Sequence, residues 1–171
     1  AGLGSAKSIF ASYAHPIIFL FIGSFFLAEA MTVHGVDRRF ANWMLALPWV
    51  GARPNRILLA IGTVTAVISM WISNTAAAAL MLPVAMGVLA TLHAPWTSDR
   101  ATDIDRYSIA AMLVLSYAAT AGGLATIIGT PPNLIGIGLI AQQAGTSISF
   151  LTWMAFGLPL ATLMLLLAWA L

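Results

Sequence analysis

Two short polar segments interrupt long apolar stretches of this chain, and their side chains are the ones with chemistry to offer. The first is Ser73-Asn74-Thr75, within residues 57–92, and the second is Gly129-Thr130-Pro131-Pro132-Asn133, within residues 108–140. Hydrocarbon offers no hydrogen-bond partners, so backbone that leaves the helix at membrane depth must be satisfied by protein or by a hydrated cavity. Each interruption is therefore a candidate binding site.

The residue types at these interruptions suit an anion and a hard cation. A helix that restarts after each one presents amide donors and a positive dipole end, which favour a carboxylate or another oxyanion. Freed carbonyls and the oxygens of Ser73 and Asn74 suit sodium, and Ser69 lies one helical turn earlier on the same side. Two alternatives stay open: the Ser69 hydroxyl bonds back to its own helix, or the Ser-Asn-Thr triplet is only a packing kink.

The composition places these segments in a membrane protein. Hydrophobic residues make up 61% of the 171 residues and charged residues 7%, whereas soluble domains carry about 25% charged residues. The net charge is only +2 and the basic residues form no broad stripe, so nucleic acid is not expected as a partner. The chain contains no cysteine, which excludes disulfides and thiolate metal sites.

The apolar stretches predict an all-α integral membrane fold with two interrupted helices. Residues 16–33 form one span, and the segment from Phe40 to Trp49 is typical of a helix lying in the membrane surface. Residues 57–92 would exceed about 50 Å as a straight helix, so they are expected to break at the triplet and form a re-entrant helical hairpin. Adjacent prolines break the next helix, and Asn133 is a candidate cap for the helix that resumes there; a tight turn between two ordinary spans is the alternative.

These elements give the organisation of the chain. Residues 1–56 are expected to hold a scaffold-type transmembrane helix and the surface helix, and residues 57–92 the hairpin. Residues 93–145 would hold a cytoplasmic loop and the proline-broken helix, and residues 146–171 the final span. The chain begins without methionine and ends within an apolar run, so we interpret it as a fragment.

The arginines predict the orientation. Arg38, Arg39, Arg53 and Arg56 cluster after the first span, and Arg100 and Arg106 follow the hairpin. By the positive-inside rule, residues 34–56 and 93–107 are expected to be cytoplasmic, in an inner or plasma membrane. No nucleophile, base and acid occur together in a pattern that suggests catalysis, so no enzymatic activity is expected. No cofactor is expected either.

Three segments resemble the divalent anion/sodium symporter (DASS) family. They are Ser69 to Ala76 (SMWISNTA), Gly122 to Asn133 (GGLATIIGTPPN) and Phe21 to Arg39, which ends His-Gly-Val-Asp-Arg-Arg. The resemblance covers nearly the whole chain and implies most of the N-terminal half of an inverted-repeat transporter. Each motif occurs once here, so a second repeat half would be a missing partner.

The resemblance also implies the residue roles and the mechanism. Sodium would bind Ser69, Ser73, Asn74 and the carbonyl of Gly129, and the anion pocket would be lined by Asn74, Thr75, Thr130 and Pro131. Sodium would serve as the coupling ion for a divalent anion such as succinate, citrate or sulfate. Members of this family are elevator-type transporters that dimerise through a scaffold, so a homodimer is expected.

Other functions remain open from the sequence alone. A related ion-transporter fold would carry out arsenite efflux or sodium/proton antiport. In another class, the breaks would line a passive channel or only permit close helix packing in a membrane scaffold. Saturable, sodium-dependent uptake would distinguish the symporter from these alternatives.

Overall fold

The part of the chain described by the computed structural model is helical. It comprises residues 16–36, 39, 42–43, 46–48, 50, 53–93 and 101–170. Six helices lie within it: α1 (Pro16–Val33), α2 (Pro54–Ser69), α3 (Asn74–His93), α4 (Ala101–Ala125), α5 (Pro131–Ala144) and α6 (Phe150–Ala170). Half of the predicted surface helix between Phe40 and Trp49, and residues 94–100 before α4, lie outside the described residues.

The predicted first and last spans are both helices. The first, α1, has the expected bounds, and Gly35 just beyond it adopts a positive φ of 62°, which suits a residue without Cβ at a helix end. The last, α6, and the segment Asp105–Ala125 of α4 are each long and apolar enough to cross a membrane. Large apolar side chains of α6 remain exposed, among them Leu151, Phe156, Leu163 and Leu167.

The first interruption separates two helices that lie side by side. Only residues 70–73 connect α2 to α3, and Ser73 Oγ accepts a hydrogen bond of 3.2 Å from the Ala76 amide, which caps α3. Leu58 near the start of α2 and Leu89 near the end of α3 share one buried cluster with Ala111 and Val114 of α4. The pair is therefore an antiparallel helical hairpin whose open end lies beside the first half of α4.

The second interruption begins earlier than the prolines predict. Helix α4 ends at Ala125, residues 126–130 are not helical, and Pro131 and Pro132 are the first two residues of α5. Proline suits that position because the first amides of a helix have no partner within it. Among the described residues, α5 packs more extensively against α1 than along α4.

The final helix packs along α4 in the opposite direction. Near its start, Trp153 Nε1 donates to the Leu124 carbonyl at 3.0 Å, and near its end Trp169 Nε1 donates to the Asn55 carbonyl at 2.9 Å. Gly157 permits this approach, since a Cβ there would lie 2.9 Å from the Ala125 carbonyl oxygen. Helix α6 thus supports α4 at the point where its helical hydrogen bonding stops.

Candidate functional site

The end of α2 brings several oxygen atoms together in the interior. Ser69 is fully buried, and its Oγ lies 2.6 Å from the Ala119 carbonyl oxygen and 2.9 Å from Asn74 Oδ1. The hydroxyl has one proton, so it donates to only one of these two acceptors at a time. Its partners lie on α4 and at the start of α3, which excludes the alternative in which Ser69 bonds only to its own helix.

The second interruption is held by side chains from its two ends. Thr126 Oγ1 donates to the Met70 carbonyl at 2.6 Å and accepts a bond of 3.0 Å from the Gly129 amide. Asn133 Nδ2 donates to the carbonyls of Gly123 at 2.9 Å and Thr126 at 2.8 Å. These bonds satisfy backbone groups that the interrupted helix leaves without helical partners.

Glycines allow the two interruptions to touch. A Cβ on Gly123 would overlap the Asn74 side chain, and a Cβ on Gly129 would lie 2.6 Å from the Gly123 carbonyl oxygen and 3.0 Å from that of Ser69. A side chain at either position would therefore push the segments apart. The end of α2, the start of α3 and the second interruption form one contiguous site.

A cavity of about 480 Å³ opens beside this site, between α3 and α4. Asn74 and Thr75 line it at the first interruption, and Ser116 and Thr120 add hydroxyl groups from α4. The rest of its lining is apolar: Ala78, Ala79, Leu82, Met112, Leu115 and Ala119. Its volume is within the range of small-molecule pockets, which runs from about 300 to 1,000 Å³.

The residues predicted to hold sodium lie close together, with one difference among them. Ser69 bonds to Asn74 and the Gly129 backbone lies against the Ser69 carbonyl, whereas Ser73 is exposed and its hydroxyl caps α3. Within the described residues, no group of three or more His, Asp or Glu side chains is placed to hold a metal ion. The oxygens at the site come from a hydroxyl, an amide and backbone carbonyls, all of which are neutral.

The residues predicted to line the anion pocket fall into two pairs. Asn74 and Thr75 line the cavity at the start of α3. Thr130 and Pro131 lie at the start of α5, outside that lining, and Thr130 is extended, with φ −149° and ψ 142°. The chain therefore places one pair at each interruption.

The suggested cap for α5 is wrong, and one residue was missed. Thr130 occupies the cap position without a side-chain cap bond, whereas Asn133 lies one turn inside and reaches back to carbonyls of the preceding residues. Thr126 was not singled out, because a threonine in an apolar stretch ordinarily bonds to its own helix. Its place three residues before Gly129 was the available signal.

Helices broken where oxygen atoms and helix ends converge are the architecture of secondary transporters. A family model described as citrate transporter (CitMHS) matches residues 1–171, and the chain belongs to this family. The family relationship confirms the resemblance to sodium-coupled anion symporters that the motifs indicated. The chain is accordingly an integral membrane protein of a transporter family, and not an enzyme.

Curated relatives agree with the family assignment. The chain is 39% identical over 166 residues to an uncharacterized transporter of Haemophilus influenzae, and the match covers 96% of this chain and 32% of that protein. It is 36% identical over 164 residues to the sodium-dependent dicarboxylate transporter SdcS of Staphylococcus aureus, which covers 95% of this chain and 31% of the relative. The chain thus spans about a third of the length of the curated relatives it matches.

Proposed function

We propose that this chain supplies the first half of the ion and substrate site of a sodium-coupled transporter for a divalent organic anion, such as succinate or citrate. The observation that carries the proposal is the meeting of the two interruptions, where Ser69 Oγ and Asn74 Oδ1 lie 2.9 Å apart beside Gly129. The similarity of the chain to a sodium-dependent dicarboxylate transporter supports the same choice of ion and anion.

The chemistry of the oxygens favours a monovalent hard cation. Two acceptor oxygens share the one proton of Ser69, so lone pairs remain for an ion. A divalent ion ordinarily takes carboxylate ligands, whereas neutral hydroxyl, amide and carbonyl oxygens suit sodium at broken helices. In this proposal Ser69, Ser73, Asn74 and the Gly129 carbonyl hold the ion.

The anion would bind at the helix starts, and the start of α3 presents more amide donors than the start of α5. Ser73 accepts the Ala76 amide, and the preceding residues of α3, Asn74 and Thr75, both line the cavity. Helix α5 begins with two prolines, which have no amide proton. Thr130 and Pro131 would therefore contribute a hydroxyl and the positive dipole end rather than a set of amide donors.

Sodium and the anion would then bind cooperatively. A cation between the two interruptions would place positive charge beside the anion pocket and hold the start of α3 in place. By linkage, sodium raises anion affinity and the anion raises sodium affinity by the same factor. In this proposal the hairpin is re-entrant, and residues 34–56 and 93–107 lie in the cytoplasm. The protein works as a homodimer and moves its substrate by an elevator movement.

Replacement of Asn74 by alanine tests the assignment. In the full-length protein, Asn74→Ala should abolish sodium-dependent uptake of labelled succinate and citrate, because it removes a cation ligand and an anion contact together. Uptake is measured in proteoliposomes with sodium outside and, in parallel, with choline in its place. Counter-ion flux in the same vesicles separates symport from sodium/proton antiport.

Asn55→Ala is the matched control. Asn55 is exposed in the first turn of α2, far from the interruption, and it accepts the bond from Trp169 through its backbone carbonyl. This variant should keep the wild-type uptake and sodium dependence. Unchanged uptake by Asn74→Ala, or wild-type uptake that is equal in choline, would contradict the proposed function.

A further inference from the structure

Thr126 makes a direct link between the two interruptions. It is fully buried in the non-helical residues 126–130. Its hydroxyl donates to the carbonyl of Met70, which directly follows Ser69, and accepts the amide of Gly129. Met70 is 56 residues away from Thr126 in the chain, whereas Gly129 is only three residues away.

We propose that Thr126 is a positioning residue for the cation. Its side chain holds the end of α2 and the second interruption at a fixed separation. This inference rests on the proposed function, because it assumes that Ser69, Asn74 and Gly129 bind sodium. The Thr126 hydroxyl itself is not a ligand in this proposal: its one proton is used on Met70 and one lone pair on Gly129. It acts by fixing the distance between the oxygens that the ion would join.

Asn133 adds a second hold on Thr126. Its Nδ2 bonds to the Thr126 carbonyl, so the backbone of Thr126 is held while its side chain reaches Met70. A buried group held at both ends loses little further freedom when an ion binds. Pre-organisation of this kind increases affinity, because less ordering is required on binding.

Thr126→Val removes the hydroxyl with almost no change in shape. The Met70 carbonyl and the Gly129 amide then lose a partner in the interior, and the two segments are free to separate. In the full-length protein, the sodium concentration for half-maximal uptake should rise by roughly tenfold. Maximal uptake at saturating sodium should stay close to wild type, and Thr126→Ser should restore the wild-type sodium dependence.

Thr65→Val is the matched control, because it makes the same substitution at another fully buried threonine. The Thr65 hydroxyl donates to the Ile61 carbonyl of its own helix at 2.7 Å, and it joins no second segment of the part of the chain that the structure describes. This variant should leave the sodium dependence at the wild-type value. An equal shift in Thr65→Val and Thr126→Val would assign the effect to general loss of packing and overturn the proposal.

A second measurement keeps this test separate from that of the transport function. Sodium chloride, compared with choline chloride, should raise the unfolding temperature of the purified wild-type protein, and Thr126→Val should need more sodium for the same increase. If the wild type shows neither sodium-dependent uptake nor this stabilisation, the proposed function fails. If the wild type shows them and Thr126→Val has unchanged sodium dependence, only the positioning role fails. Should Thr126→Val not fold, Thr126→Cys retains a weak donor and must shift the sodium dependence in the same direction, or the proposal is wrong.

Discussion

Single atoms decide whether the candidate site can form. Gly122 lies against the backbone of Ala66, and Gly123 lies against the side chain of Asn74, with no room for a Cβ at either place. The missing Cβ leaves room for the Asn74 amide, whose oxygen lies 2.9 Å from the Ser69 hydroxyl. The glycine pair of the sequence is thus a requirement of packing between helices rather than of backbone flexibility.

Gly123→Ala tests this packing at the residue scale. The added methyl group would displace the Asn74 side chain, and overpacking of this kind costs about 1–3 kcal/mol. We expect the sodium concentration for half-maximal uptake to rise by roughly tenfold, since about 1.4 kcal/mol corresponds to a factor of ten. Gly87→Ala is the control, because nothing lies within 4 Å of a Cβ there. Equal sodium dependence in the two variants would show that the close approach of Gly123 has no role in the site.

At the scale of elements, the second interruption is maintained by a side chain more than by proline. Residues 126–130 have already left the helix before Pro131, and Asn133 bonds to carbonyls on both sides of the point where α4 ends. Pro131 and Pro132 suit the first positions of α5 but are not themselves in the non-helical segment. A substitution of Asn133 should therefore have a larger effect than one of a proline.

Asn133→Leu and Pro132→Ala compare these contributions directly. Loss of the Asn133 amide leaves two buried carbonyls without that donor, and each such loss costs about 1–3 kcal/mol. Pro132→Ala should change stability by less than about 1 kcal/mol, chiefly through the unfolded chain. Thermal unfolding of the purified full-length variants measures both. A larger loss of stability in Pro132→Ala than in Asn133→Leu would contradict this account.

At the scale of the whole molecule, one end of the bundle carries several arginines. Tyr107 donates to the Pro54 carbonyl at 2.8 Å and Trp169 to that of Asn55, which places the starts of α2 and α4 and the end of α6 together. Arg53, Arg56 and Arg106 belong to this end. Residues 145–149, before α6, lie at the opposite end and carry no charge.

Cysteine labelling tests the proposed orientation. In a full-length protein without other reactive cysteines, Thr146→Cys should react with a membrane-impermeant maleimide in intact cells. Arg53→Cys should react only after the membrane is permeabilised, because a basic segment is retained in the cytoplasm. The opposite pattern would reverse the orientation, and labelling of both from one side would contradict a membrane-spanning α6.

Much of this protein follows from local sequence, and the remainder depends on contacts between distant segments. The lengths of the apolar stretches predicted α1, α6 and the two breaks, because each stretch must fit the thickness of the hydrocarbon by itself. Ser73 was recognisable as a cap, because capping operates within one turn. The resemblance of the three motif segments also indicated the family.

The partners of Ser69, Thr126 and Asn133 were decided only in the tertiary structure. Ala119 and Met70 act through backbone carbonyls, which every residue possesses, so no side-chain pattern in the sequence marks them as partners. Their availability arises from how α2, α3 and α4 pack together, with Gly123 and Gly129 setting the distance. Interactions across 50 or more residues depend on that packing, whereas helix ends depend on the few residues beside them.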